Sequence, residues 1–155
     1  RCEDGSILCK EFPEFFDKIL LDAVCRGEAR FIEGDPKTYG YWSEHKIKRM
    51  AYRQQRLLLA AWSALKPGGI LVYSTCTLAP EENEGLLSKF LTRQDNARLE
   101  KITLPGLNRL PPVSLWKGRP LDRDINLTFR IQPTDEIESF FIAKFRKLKS
   151  INITP

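Results

Sequence analysis

The chain has 155 residues, a formal net charge of +5, 42% apolar residues and 29% charged residues. Those fractions fit one globular domain with a core of useful size and exclude a repeat or low-complexity architecture. No run of eighteen apolar residues occurs, which excludes a membrane-spanning helix, and the basic surplus is compatible with a polyanionic partner without demanding one.

Cysteine stands at Cys2, Cys9, Cys25 and Cys76, with no Cys-x-x-Cys pair, and His45 is the single histidine. No metal site is expected from that set, and reduced thiols are. The start Arg1-Cys2-Glu3-Asp4 has neither an apolar signal core nor an initiator Met, which reads as a piece of a longer intracellular, cytoplasmic chain.

In chain order, Asp4-Gly5 reads as a turn. Lys18 to Val24 is apolar but for Asp22, the pattern of a strand covered on both faces. A carboxylate at the end of a buried strand needs a partner or a ligand; the plainer reading is a cap on the next turn. Residues 26–42 form a long loop with Gly27, Gly34, Asp35-Pro36, Gly40, Tyr39, Tyr41 and Trp42, and loops of that length are more often functional than idle. Ser43 can cap a helix whose apolar stripe is Ile47, Met50, Ala51, Leu57, Leu58, Ala61, Trp62 and Leu65. Its other face carries Lys46, Lys48, Arg49, Arg53 and Arg56, either solvated or in contact with nucleic acid. Lys66-Pro67-Gly68-Gly69 is expected to stop that helix.

Ile70 to Thr75 reads as a second strand, parallel to the first through a right-handed crossover. Asp22 and Cys76 then open at the same sheet edge, where open α/β sheets place their chemistry. A small buried core thiol is the bland alternative for Cys76. Pro80 with Glu81, Glu82 and Glu84 suits a helix first turn, continued by Leu86, Leu87, Phe90 and Leu91. Leu99 to Leu104 is a strand candidate, and about 105–125 is an irregular insertion with Pro105, Pro111, Pro112, Pro120 and Trp116, to which no role attaches. Phe129 to Ile131 and Ser139 to Phe145 suggest a terminal antiparallel hairpin, and Lys144 to Lys149 a solvated basic end.

Taken together, Phe16-Asp17-Lys18-Ile19-Leu20-Leu21-Asp22-Ala23-Val24-Cys25-Arg26-Gly27-Glu28, Trp42-Ser43, the helix around Gln55 to Leu59, Leu65-Lys66-Pro67-Gly68-Gly69, and Tyr73-Ser74-Thr75-Cys76-Thr77 with Pro80-Glu81-Glu82-Asn83-Glu84 resemble the RsmB/NOP/Sun-type family of RNA cytosine-5 methyltransferases. Ser139-Phe140-Phe141-Ile142-Ala143-Lys144 is similar to the family's final strand. The resemblance implies an α/β fold, the C-terminal half of a Rossmann-like, S-adenosylmethionine-dependent methyltransferase sheet over residues 1–149, with 150–155 a tail. It implies S-adenosylmethionine as cofactor, RNA (rRNA or tRNA) as substrate and, in a eukaryote, a nucleolar location. Cys76 takes the place of the thiol that attacks cytosine carbon 6, Cys25 that of the thiol tied to release of the product, and Asp22 that of the acid between cofactor and base. Asp4 takes the place of the acid that accepts from the adenine amino group.

The chain departs from the family at Val24, where proline is usual, and at Arg26, where a small serine is usual. The family's glycine-rich cofactor loop and ribose-binding acid have no counterpart, so a missing N-terminal half is the expected partner. The competing expectation is a catalytically silent RNA-binding or assembly module, with a small-molecule methyltransferase behind it.

Overall fold

The structure, a computed structural model, describes residues 3–25, 27, 28 and 31–150. In order they form α1 (Gly5–Leu8), β1 (Phe16–Asp22), α2 (Pro36–Tyr39), α3 (Glu44–Ala64), β2 (Leu65–Thr75), α4 (Glu84–Arg93), β3 (Ala97–Glu100), β4 (Arg109–Leu110), β5 (Leu115–Trp116), β6 (Arg119–Pro120), β7 (Phe129–Ile131) and β8 (Phe141–Lys147). The main sheet runs β1-β2-β8-β7-β4, and β3 pairs with β8 as well.

The α/β class holds, with one parallel pair in an otherwise antiparallel sheet. β1 and β2 lie parallel, joined through α3, with Leu21 opposite Tyr73 and Asp22 opposite Ser74. The expected terminal hairpin is present as β7 against β8, although β8 starts at Phe141 rather than Ser139. Arg26 and residues 151–155, most of the expected tail, lie outside the described residues.

Packing corrects several expectations. β1 is not covered on both faces: it is an edge strand paired only with β2 among the described residues, and Leu20 is 72% exposed. The described sheet buries one face, from which Leu71, Tyr73, Phe141, Ala143 and Phe145 alternate into the core, as an antiparallel sheet with one free face does. On that face Trp62 of α3, Phe90 of α4 and Phe145 meet edge-on, with centroids 5.4 to 6.2 Å apart. α3 is capped by Ser43 as expected, but its buried stripe also includes Gln54, a polar residue with no place in an apolar pattern.

Lys66–Gly69 does not end α3. The helix stops at Ala64, Leu65 is already extended, and the four residues bulge out of β2 between the pairs Phe16–Leu65 and Lys18–Ile70. Gly68, at φ +79°, makes that bulge's turn. The basic end is likewise not a solvated tail. β8 continues to Lys147, which is fully buried, its ammonium donating to the carbonyls of Trp62 (3.1 Å) and Leu65 (2.7 Å) and pairing with Glu14 at 3.0 Å.

β3 covers Ala97–Glu100 rather than Leu99 to Leu104, because β8 exchanges β3 for β7 beyond Lys144. At that exchange Glu100 lies between Lys144 (2.8 Å) and Arg146. The hydrogen bond from Arg146, then that from Lys144, lowers the Glu100 carboxyl from 4.5 to about 2. A depressed carboxylate stabilises the fold above its unfolded value and loses that contribution as pH falls from about 4.5 towards 2. Glu100→Gln is therefore expected to flatten that acid limb while changing stability near neutrality by less than about 1 kcal/mol, given the solvent screening of a surface pair. Chemical denaturation repeated across that pH range checks it; an unchanged acid limb counts against the pairing.

Candidate active site

The β1–β2 ladder ends where the unusual side chains begin. Asp22 and Ser74 are its last pair; the Ser74 hydroxyl donates to Asp22 Oδ1 at 3.0 Å, and Ala23 N–H donates to the Ser74 carbonyl. Asp22 is exposed, so no burial cost demands a ligand, and it is not the cap of a following turn. Two or three residues further on, the chains bring Cys25 and Cys76 together with Cα atoms 6.2 Å apart and their sulfurs bonded. Cys76 N–H also points at Cys25 Sγ, 3.2 Å away. The expectation of reduced thiols is thus corrected for this pair, while Cys9 is free and its thiol is pushed up by burial. A bonded sulfur is no nucleophile, so chemistry at Cys76 requires the reduced pair.

The loop carrying Cys76 is clipped on every side. Thr75 Oγ1 donates to Asn83 Oδ1 (2.6 Å), and Asn83 Nδ2 donates to the Thr77 carbonyl (2.9 Å), so one buried amide grips both neighbours of the cysteine. Thr77 Oγ1 donates to Glu28 (3.0 Å), tying the loop to the Cys25 segment. The Leu78 carbonyl accepts from Arg130 (3.1 Å), whose guanidinium forms a fork with buried Glu84 at 2.7 and 2.9 Å. Val113 N–H donates to the same carboxylate (3.2 Å).

A second brace joins the segments from beneath. Gln54 Nε2 donates to the Val24 carbonyl (2.9 Å) and to Glu82 Oε2 (2.6 Å). The Tyr73 hydroxyl donates to the Glu82 carbonyl (2.7 Å), and burial, then the Glu82 charge, pushes that phenol well above its usual range. This changes the reading of Pro80-Glu81-Glu82-Asn83-Glu84. α4 starts only at Glu84; Glu82, Asn83 and Glu84 are fully buried and hold the loop, so Glu84 alone of the acids sits in the first turn.

The structure thus gathers Cys76, Cys25 and Asp22. Asp4 stands apart on α1, capping it by accepting from Ser6 N–H (2.9 Å), beside Arg53, Arg56 and Leu57. The hydrogen bonds from Ser6, helped by the nearby arginines, hold its carboxyl below the usual carboxylate range. Gln54, Asn83, Glu84 and Arg130 escaped the sequence reading as site residues. Arginine between Phe129 and Ile131 was the available signal, since a charge inside an apolar strand requires a buried partner.

A parallel strand–helix–strand unit, with Asp22, Cys25 and Cys76 at or just past its carboxyl strand ends, places the chain in the Rossmann-like α/β class. Residues 2–146 match the model of the family described as 16S rRNA methyltransferase RsmB/F. The chain belongs to that family. It is 42% identical over 146 residues to tRNA (cytosine(49)-C(5))-methyltransferase of Pyrococcus abyssi, covering 94% of this chain and 46% of the relative. It is 47% identical over 155 residues to ribosomal RNA small subunit methyltransferase F of Pectobacterium atrosepticum, covering 98% and 30%. Among solved structures, that of NSun6 from Pyrococcus horikoshii with SFG superposes with a TM-score of 0.73 at 33% identity, covering 97% of this chain and 34% of that one. The chain therefore spans less than half the length of these relatives. No helix among the described residues is long and apolar enough to cross a membrane.

Proposed function

We propose that the chain is the C-terminal portion of the catalytic domain of an S-adenosylmethionine-dependent RNA (cytosine-5) methyltransferase acting on rRNA or tRNA, with Cys76 as nucleophile. The observation that carries this is the meeting of Cys25 and Cys76 just past the carboxyl ends of adjacent parallel strands, two or three residues beyond the pair formed by the exposed Asp22 and Ser74. Carbon 5 of cytosine is too weak a nucleophile to take a methyl group unaided. Addition of the Cys76 thiolate to carbon 6 moves an electron pair onto carbon 5, which then attacks the methyl group. Removal of the carbon-5 proton returns that pair to the ring and expels the Cys76 thiolate; Cys25 is the group placed to take the proton. Asp22, with one oxygen on Ser74, keeps acceptor capacity for the ring edge or its amino group.

The cofactor supplies an electrophilic methyl group on a sulfonium. Asp4 and Asp22 are exposed carboxylates, each with one oxygen engaged, and suit the amino and cationic parts of such a molecule. The cavity beside Asp4 is only about 50 Å³, far below the roughly 300 Å³ at which ligand pockets begin. These residues fit one border of a cofactor site, and the remainder belongs to the N-terminal half of the domain. Val24 does not leave the Cys25 backbone loose, since Gln54 holds its carbonyl.

The test is a covalent trap. The full-length protein, reduced and mixed with methyl donor and RNA carrying 5-fluorocytidine, is expected to give an adduct that survives denaturing electrophoresis, because fluorine at carbon 5 cannot leave as a proton. Cys76→Ser should give none. No adduct with either protein would favour a silent RNA-binding module, and an adduct retained by Cys76→Ser would remove the nucleophile from its assigned place.

A further inference from the structure

Beside the Cys76 loop, and outside the thiol pair, lies a cavity of about 430 Å³, within the size range of small-ligand sites. Trp42, Ile47, Leu78, Pro80, Trp116 and Lys117 form most of its wall. One side is the Cys76 loop itself; Leu78 is two residues from the nucleophile, so its Cα lies within about 7 Å of that of Cys76. The opposite side is the β5–β6 hairpin from the stretch to which the sequence attached no role. Its two-residue turn, Lys117-Gly118, has φ +50° and +73°, the geometry of a tight hairpin connection.

That hairpin is tied down rather than free. Lys117 Nζ pairs with Glu44 on α3 at 2.9 Å and with Glu81 of the loop after Cys76 at 3.0 Å. The cavity therefore has a fixed wall on each side. Its chemistry is uneven: two indoles and aliphatic groups dominate. Trp116 Nε1 is shielded from solvent, with no hydrogen-bond partner among the described residues, so what this indole offers the cavity is its ring. Trp42, by contrast, spends its Nε1 on Glu28 at 2.6 Å, and is 48% exposed. Exposed Leu78 (40%) adds to an apolar surface beside the reactive loop.

We propose that this cavity receives the base of a nucleotide flanking the target cytosine. The inference rests on the RNA methyltransferase reading and extends it to a specificity subsite. A nucleobase is flat and apolar on its faces, which matches a wall of two indoles and aliphatic groups. An enzyme that acts on a base must take it out of the stack, which leaves the neighbouring bases without their own stacking partner. Aromatic side chains one or two nucleotides away then replace the lost stack, with a sequence tolerance that base-edge contacts narrow. Three carboxylates also line the cavity, and each is engaged: Glu44 and Glu81 pair with Lys117, and Glu28 accepts from Trp42 and Thr77.

The test is a thermodynamic cycle on RNA affinity, measured with full-length reduced protein and a short single-stranded RNA of adenosines around one cytidine. Each adenosine near the cytidine is replaced in turn by an abasic ribose. One such replacement is expected to weaken binding by about 5- to 150-fold, the range for loss of one base–aromatic stack. Trp116→Ala should weaken binding of the intact RNA by a similar factor and lose no more with the abasic RNA, since both changes remove one contact. Trp116→Phe, which keeps the aromatic face and drops the N–H, should retain most of the coupling, which a variant that merely misfolds would not allow. Additive losses, or an abasic scan flat at every position, overturn the subsite. Adduct formation on 5-fluorocytidine RNA is read in parallel. Coupling without adduct keeps the subsite and rejects the enzymatic reading, adduct without coupling does the reverse, and no RNA binding at all rejects both.

Discussion

Methyl transfer is expected to fall by about 10⁴-fold or more in the full-length Cys76→Ala variant, the scale on which removal of a covalent nucleophile acts in other enzymes. Cys25→Ala is expected to fail differently. Its Cys76 thiolate is intact, so addition to carbon 6 and methylation of carbon 5 proceed, but the carbon-5 proton has lost its acceptor. Turnover should drop by about 10²- to 10⁴-fold, the usual contribution of one positioned acid or base. The enzyme should then stay attached to ordinary cytidine-containing RNA, without fluorine in the base. A denaturing gel separates the two outcomes: a shifted band for Cys25→Ala, none for Cys76→Ala, and none for the double variant. A shifted band for Cys76→Ala alone would exchange the roles of the two sulfurs. The rationale is positional: both thiols leave the sheet beside the same Asp22–Ser74 pair, and the neighbours of Cys76 are held by Asn83 and Glu28 so that its place does not depend on its partner.

The largest effect on stability is expected at Arg130. Arg130 is 6% exposed and its partner Glu84 is fully buried; the pair sits between β7 and the start of α4, and the guanidinium also holds the Leu78 carbonyl. Arg130→Ala leaves a buried carboxylate that, among the described residues, keeps the Val113 N–H as its donor. Breaking such a pair from one side costs about 3–5 kcal/mol, which at this chain length lowers Tm by roughly 6–20 °C. Replacing both partners by apolar residues, Arg130→Met with Glu84→Leu, should recover part of that loss because no charge is stranded. Differential scanning calorimetry of the two variants beside the unaltered protein decides it. A single-variant loss below about 1 kcal/mol would show that the fork is not what holds the loop.

Local signals in the sequence foresaw the elements that depend on local chemistry. Ser43 announced α3, the β-branched and apolar run to Thr75 announced β2, and the parallel pairing followed from the handedness of the crossover. The nearness of Cys25 and Cys76 was foreseeable because both lie just past the ends of neighbouring parallel strands, but the bond between their sulfurs was not. What stayed hidden depends on contacts between distant parts of the chain. Gln54 looks like one more polar residue on a helix until Val24 and Glu82 arrive from 30 and 28 positions away. Lys147 looked like part of a basic tail because nothing nearby shows that two carbonyls at the end of α3 await it. The acids after Pro80 fitted a helix dipole so well that their burial was missed, and Arg130, on which Glu84 depends, lies 46 residues further on.

The position of β8 has a consequence for how the molecule is made. It is the last described strand in the chain, yet it sits inside the sheet, flanked by β2 on one side and by β3 and β7 on the other. A ribosome delivering this chain presents β1 and β2 long before their neighbour exists, so the nascent sheet waits with one open, hydrogen-bond-hungry margin while more than sixty further residues are translated. Over that interval both cysteines are already made while Arg130 is not, so the clip on the Leu78 carbonyl can close only after the thiols it helps to position have emerged from synthesis.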